Sequence, residues 1–343
     1  MSAPAFLADY ARLSEPRLRA FLDGKCAAVA SLPVDLRPAF AALRDYVLRG
    51  GKRLRGALVL LGHEAGGGAR ETALEASIGV ELLHAYLLVH DDLMDRDDVR
   101  RGGPTVHAAL RAPLGEHLAG SIAILLGSLC QAWAYELVLA APVAPERALR
   151  AARQLTESLQ EVTVGQALDL AAPAGLELDA AGVLEVQRLK TGSYSFELPL
   201  RLGALLAGAA PALLDALSRY ARPLGQAFQI ADDLLGTFGS PEQTGKPNAS
   251  DLREGKRTLL IARALEKASP ADAAALRAGL GNPAADIDAL REILRRTGAE
   301  EFARAEAERL RDQGVRALED PALPSPVAQT LREIAHYAVG RRA

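Results

Sequence analysis

Along almost the whole of this chain, apolar residues return at every third and fourth position, the spacing that lays an apolar stripe along an α-helix. Ala, Leu, Arg and Glu dominate, and stretches with the alternation and β-branching of strands are scarce. An all-α fold follows. Gly and Pro cluster at residues 66–68, 101–104, 171–175, 239–247, 279–283 and 320–326, which marks breaks between helices. None of these breaks is long, polar and flexible enough for an interdomain linker, and no fixed-period repeat is visible. Residues 1–343 therefore read as a single domain of many helices.

Composition removes several classes of function. Net charge is only −3, and Lys and Arg are scattered instead of forming tracts, so no electrostatic footprint for nucleic acid or an anionic membrane exists. The two cysteines, Cys26 and Cys130, form no CxxC pair; a disulfide framework or zinc site is unsupported, and a reducing cytoplasm fits. Asp9 and Arg12 precede any apolar block of signal-peptide length, so no export is expected. One uncharged stretch, LAGSIAILLGSLCQAWAY (residues 118–135), reaches the length of a minimal membrane span. Its Gly, Ser and Gln content and the lack of a second candidate make it read as a helix buried on all sides, so no integral membrane association is expected.

The stretch HDDLMDRDDVRRGGPTVH (residues 90–107) sets Asp91, Asp92, Asp95, Asp97 and Asp98 directly after the apolar run ELLHAYLLV. On one helix over 73–95, Asp91, Asp92 and Asp95 stand at i, i+1 and i+4, so two of them share a face one turn apart. A solvated acidic helix end is the plain alternative. The preceding leucines argue for the lip of a core. A second pair, Asp232 and Asp233, sits inside the apolar pattern AFQIADDLLGTF, where a buried carboxylate needs a partner or a cation. Clustered hard oxygens suit Mg²⁺, which bridges one or two carboxylates to substrate phosphates.

Such a site needs an anionic ligand, and cations lie along the same stretches. RGGKRLRGAL (residues 49–58) sets a Gly pair before Lys52, Arg53 and Arg55 at what reads as a helix start, where free N–H groups favour anions. Arg100 and Arg101 follow the first acidic cluster, Lys190 and Thr191 end a helical pattern, and residues 244–260 add Lys246, Lys256 and Arg257. A nucleotide-binding P-loop fails on spacing: Ser240 stands where its first Gly is required and Pro247 where Ser or Thr is.

The motifs GGKRLR, His84, DDLMD followed by RRGGPTVH, GQALD, LKTGSY, FQIADD, TGK and DLREGKRT, taken in order, resemble the trans-prenyltransferases, the polyprenyl diphosphate synthase family, from about Gly50 to Arg257. The resemblance implies an orthogonal helical bundle around a deep central cavity and a homodimer. It also implies head-to-tail condensation of isopentenyl diphosphate with an allylic diphosphate carrying one, two or three isoprene units. By the same resemblance Asp91 and Asp95, with Asp92, hold two Mg²⁺ ions, and Asp232, with Asp233, holds a third. Arg100, Lys190 and Lys246 join the metal ions on the allylic diphosphate, and Lys256 is a further substrate-binding cation. Lys52, Arg55, His84 and Arg101 hold the isopentenyl diphosphate, and the oxygens of Thr191 and Gln229 face the developing allylic cation. The remaining residues His63, His90, His107, His117 and His336 make no metal pair at i, i+4 spacing and read as structural.

One departure stands out: the second acidic motif of the family is usually DDxxD, and here its last position is Gly236. A noncatalytic partner subunit is therefore one alternative, and a class I terpene cyclase another, although a cyclase has no use for GGKRLR. Tyr86 and Leu87, five and four residues before Asp91, match the positions where the growing product meets the cavity floor. A bulky aromatic followed by a smaller residue resembles geranylgeranyl diphosphate synthases, which implies a C20 product, with C15 next.

Overall fold

The computed structural model describes residues 2–32, 35–172, 178–239 and 250–340. Its architecture is all-α, as the periodicity predicts. The helices that carry the motifs are α1 (Ala3–Val29), α2 (Arg37–Leu48), α3 (Leu54–Ala65), α4 (Arg70–Met94), α5 (Val106–Leu114) and α6 (Glu116–Leu139). They are followed by α7 (Pro145–Ala171), α8 (Ala180–Gln187), a π-helix over Arg188–Glu197, α9 (Leu198–Ala207) and α10 (Pro211–Phe238). Shorter helices and two long ones, Ala299–Ala317 and Ser325–Val339, complete the chain. Among the described residues the strands are confined to one antiparallel hairpin, Val99–Arg100 against Gly103–Pro104.

The chain divides into two compact units: Met1–Ala152 with Leu202–Ala209, and Arg153–Arg201 with Ala210–Ala343. In the first, α4 packs on α3 and α6. A Cβ on Gly79 would stand 2.9 Å from the Ala134 carbonyl oxygen, so a side chain there would push α4 and α6 apart. In the second, α10 is the central helix, packed on Ala299–Ala317 and on the π-helix. Gly225 of α10 comes so close to Gly192 that a Cβ on Gly225 would lie 2.5 Å from the Gly192 Cα.

Two expectations need correction. The uncharged stretch lies in α6, and it is not buried all round: Ala119, Ala123, Leu126, Cys130, Trp133 and Ala134 face the core, while Leu118, Ile124, Leu125 and Leu139 are exposed. It also has a companion, because α4 is likewise long and apolar enough to cross a membrane by length and composition. The α4 window is 67% buried against 44% for α6, and α4 reads as a core helix whose apolar surface is spent on packing. Of the two thiols, Cys130 is a buried packing group whose pKa burial pushes up to about 12, while Cys26 is only partly buried and donates to the Phe40 carbonyl at 3.8 Å, burial raising its pKa as well.

Candidate active site

The Gly pair of GGKRLR performs the turn that glycine alone makes cheaply, with Gly50 at φ 70° and Gly51 at φ 123°. Arg53 follows in the left-handed region and starts α3. Its guanidinium turns inward, donating to the Val47 carbonyl at 2.9 Å and standing 3.7 Å from the Glu81 carboxylate, with both charges buried. Glu81 also accepts from the Gly56 N–H at 2.7 Å. The start of α3 is thus partly capped by the protein's own carboxylate instead of being open to an anion, and Arg53 is a structural ion-pair partner. Lys52 stays exposed, and Arg55 reaches His84 on α4, Nη1 to Nε2 at 3.3 Å.

The RRGG segment is the hairpin, with Arg101 and Gly102 as central residues at φ 53° and 72°. Positive φ at both positions makes the tight turn that matches the strand twist, and an arginine there is under strain. The strain is held by cross-ties to the Gly loop: Arg101 donates to the Gly50 carbonyl at 2.7 Å, and Arg49 donates to the carbonyls of Arg100 at 3.2 Å and Pro104 at 2.8 Å. Burial, and then the charges of Arg55, Arg101, Arg100 and Arg53, hold the His84 pKa well below the usual histidine range. His84 is therefore a neutral imidazole accepting from Arg55, within a field of four guanidiniums. That concentration of positive charge is what a diphosphate requires.

At the end of α4, Asp91 and Asp92 project about 100° apart on the helix, and the structure separates them. Asp92 is 1% exposed; it accepts from the Tyr46 hydroxyl at 2.6 Å and from Arg100 Nε. Asp91 stays partly exposed, 3.9 Å from Arg100, as does Asp95 one turn on. The helix closes with Asp97 N–H on the Asp92 carbonyl at 2.8 Å and Arg96 N–H on Leu93 at 3.4 Å, with Arg96 in the left-handed position that glycine usually fills. Asp92 was grouped with the metal ligands by resemblance; here it is the interior anchor of Arg100.

In the second unit, Lys190 and Thr191 do not end a helix as expected but sit inside the π-helix, whose wide turns recur at functional sites. Lys190 pairs with Asp169 of the GQALD motif at 2.6 Å, and Thr191 is buried. Gly165 explains the neighbouring motif: a side chain there would collide with the Lys190 backbone. On α10 the aspartate pair divides as on α4. Asp232 is partly exposed and Asp233 is 6% exposed, accepting from Gln187 Nε2 and from Gln229 Nε2, each at 2.7 Å. Burial, and then the Asp251 charge, push the Asp233 carboxyl well above the usual range. Lys256 opposes that shift and pairs with Glu254 at 2.7 Å. Lys246 lies outside the described residues.

Gly236, the departure in the acidic motif, has a structural reason. A Cβ built there would collide with the carboxylate of Asp251, from the DLREGKRT motif. The missing carboxylate of the helix is replaced in space by one from a later segment. Sequence reading missed Asp251, along with Glu81, Tyr46 and Gln187, because each is placed by tertiary packing. The one available signal was the coincidence of Gly236 with an extra Asp fifteen residues later.

Residues 37–297 match the polyprenyl synthetase family. The chain belongs to that family. It is a prenyltransferase of the prenyl diphosphate synthase type. The (2E,6E)-farnesyl diphosphate synthase of Mycobacterium tuberculosis is 36% identical over 299 residues, 85% of this chain and 80% of its own. The geranylgeranyl diphosphate synthase of Methanosarcina mazei is 40% identical over 228 residues, 66% of this chain and 68% of its own. Among solved structures, geranylgeranyl pyrophosphate synthase from Corynebacterium glutamicum, complexed with isoprenyl diphosphate and magnesium, has a TM-score of 0.93 at 36% identity, covering 100% of both chains.

Two outcomes follow from this geometry. Gly236→Asp restores the family's usual motif yet should lower the melting temperature, with overpacking of about 1–3 kcal/mol, and cut turnover; adding Asp251→Gly should recover both. Full stability and activity in the single variant would show that Asp251 does not fill that space. A depressed His84 pKa means that the unfolded chain binds more protons below about pH 6.5. Its contribution to stability is thus present above that pH and is withdrawn on acidification. His84→Gln should flatten the dependence of unfolding free energy on pH between about 7 and 5, as followed by urea denaturation.

Proposed function

We propose that this protein is a Mg²⁺-dependent synthase that condenses isopentenyl diphosphate head-to-tail with an allylic diphosphate and yields geranylgeranyl diphosphate, C20. The observation that carries the reading is the field of four guanidiniums around a neutral His84, beside an acidic helix end whose Asp91 and Asp95 remain partly exposed. The donor set fits magnesium. Among the described residues no three acidic, histidine or cysteine groups are assembled as a complete metal site; Mg²⁺ characteristically takes one or two carboxylates and completes its shell with water and substrate phosphate. In this reading Asp91 and Asp95 would hold two ions and Asp232 a third, with Asp251 supplying the carboxylate that position 236 lacks. Bound Mg²⁺ would supply Lewis-acid neutralisation of the leaving diphosphate.

The rest is done by the chain. Lys52, Arg55, His84 and Arg101 bind isopentenyl diphosphate, with His84 as a neutral group that adds no repulsion to the arginines. Arg100, tethered by Asp92, and Lys190, held by Asp169, contribute to the allylic diphosphate, together with Lys246 and Lys256. Charge on these groups favours departure of pyrophosphate with the electron pair of the C–O bond. The oxygens of Thr191 and Gln229 stabilise the allylic cation, the isopentenyl double bond attacks its terminal carbon, and the departing pyrophosphate takes the proton lost from the new chain. No protein nucleophile is needed. The partly buried Tyr86 packs edge-on against His90 at 4.7 Å, a fixed bulk suited to a chain-length stop, with Leu87 beside it.

Residues 1–343 act as one functional domain in this reading, and the protein works as a cytoplasmic homodimer. The exposed apolar side chains of α6 support self-association, since a second copy would cover them. The relatives named above as farnesyl and geranylgeranyl diphosphate synthases support the substrate class and leave C15 as the neighbouring product. A noncatalytic subunit is disfavoured by the filled position beside Gly236.

The purified chain alone should release pyrophosphate from isopentenyl and allylic diphosphates only when Mg²⁺ is present; no release at any protein concentration would end the enzymatic reading. Tyr86→Ala should lengthen the product, resolved by chromatography. Unchanged lengths would remove Tyr86 from the cavity floor.

A further inference from the structure

Gln187 closes α8, directly before the π-helix that carries Lys190 and Thr191. Its side chain is 7% exposed, and its Nε2 donates to Asp233 Oδ2 at 2.7 Å. Gln229 donates to the other oxygen, but it lies on the same helix as Asp233, one turn away, and moves with it. Gln187 is the donor that comes from a different element.

Two further contacts join the same segments: the Gly192 backbone against Gly225, and Phe196 edge-on to Phe228 at 5.5 Å. Glycine and aromatic contacts set how closely two helices approach; they are tolerant of rotation. An amide on a carboxylate oxygen is directional, so the Gln187 bond fixes the orientation in which the aspartate pair is presented relative to Lys190 and Thr191. The other end of the amide is informative. Gln187 Oε1 is buried and takes no hydrogen bond from any described residue. A buried acceptor left without a donor is costly, and such a cost persists where the donor arrives with a ligand.

We propose that Gln187 is a positioning residue for prenyl transfer: it orients Asp233 so that Asp232 serves the divalent cation, and its carbonyl oxygen accepts a hydrogen bond from that cation's hydration water. The inference rests on the functional reading above for the presence of the cation. It assigns to Gln187 no contact with either prenyl chain.

The test uses the full chain with Mg²⁺ and inorganic pyrophosphate as probes, and two variants. Gln187→Met keeps the shape and removes both the donor and the acceptor; Gln187→Glu keeps an acceptor but sets a like charge beside Asp233. The readouts are the rise in melting temperature on adding Mg²⁺ with pyrophosphate, the Mg²⁺ concentration for half-maximal turnover, and KM for isopentenyl diphosphate. For Gln187→Met the ligand-induced rise should shrink and the Mg²⁺ requirement should increase about tenfold, with KM for isopentenyl diphosphate unchanged. Gln187→Glu should raise the Mg²⁺ requirement too.

A lower melting temperature of the ligand-free Met variant, with ligand-induced rise and Mg²⁺ requirement as in the wild type, would show a packing role only and overturn the proposal. Wild-type values throughout would overturn it as well. If the wild type itself showed no rise with Mg²⁺ and pyrophosphate, the functional reading would fall first, and the role of Gln187 with it.

Discussion

A carboxylate enters a helical core only if hydrogen bonds replace the water it loses, and this constraint organises both acidic motifs. In each, two adjacent aspartates on one helix diverge by about 100°, so one must turn inward when the other stays at the surface of the core. The inward member is bonded from both sides: Asp92 by Tyr46 and Arg100, Asp233 by Gln187 and Gln229. Each bond does a second task. It fixes the Tyr46 hydroxyl, a guanidinium or an amide, so the buried aspartate acts as a brace; in the proposed function the partly exposed one is the working group.

The same economy governs the cations. GGKRLR contributes three positive residues, and the fold spends the middle one, Arg53, on an internal pair with Glu81. That pair anchors the start of α3 and leaves Lys52 exposed and Arg55 directed at His84. Repulsion within the arginine cluster is limited because His84 is kept neutral, and because Arg100 is neutralised from one side by Asp92, Asp97 and Asp91. In the proposed function, a diphosphate arriving there would meet charges already aimed and partly desolvated, so little reorganisation would be required on binding.

The helical fold was legible because an apolar spacing of three to four residues is a local property, repeated over most of the chain. The aspartates at i and i+4 on α4 were legible for the same reason, since helix geometry alone sets Asp91 and Asp95 on one face. Spacing could not separate Asp91 from Asp92, because inward and outward depend on what α2 brings up, here the Tyr46 hydroxyl. The π-helix was invisible as well: Arg188–Glu197 is rich in weak helix formers (Thr, Gly, Ser, Tyr and Phe), but no local pattern distinguishes a wide turn from a helix end, and its close approach to α10 at Gly192 and Gly225 is a tertiary contact. Gly236 looked like a loss in the linear sequence, while its meaning lay in Asp251. Two residues that share one space are legible only when both are seen folded.

Among the described residues, those other than glycine that hold positive φ are three arginines, Arg53, Arg96 and Arg101, and all three lie in or beside the GGKRLR and DDLMD–RRGG motifs. Each holds a backbone state that costs an L-residue about 1–2 kcal/mol, so the chain keeps conformational energy where it needs rigid charge. For thermostabilising redesign the three are not equivalent. Arg53 is locked by its ion pair and Arg101 by its turn, whereas Arg96 is an exposed helix terminator at which glycine or asparagine would relax the backbone and leave the neighbouring Asp92–Arg100 and Arg55–His84 contacts in place.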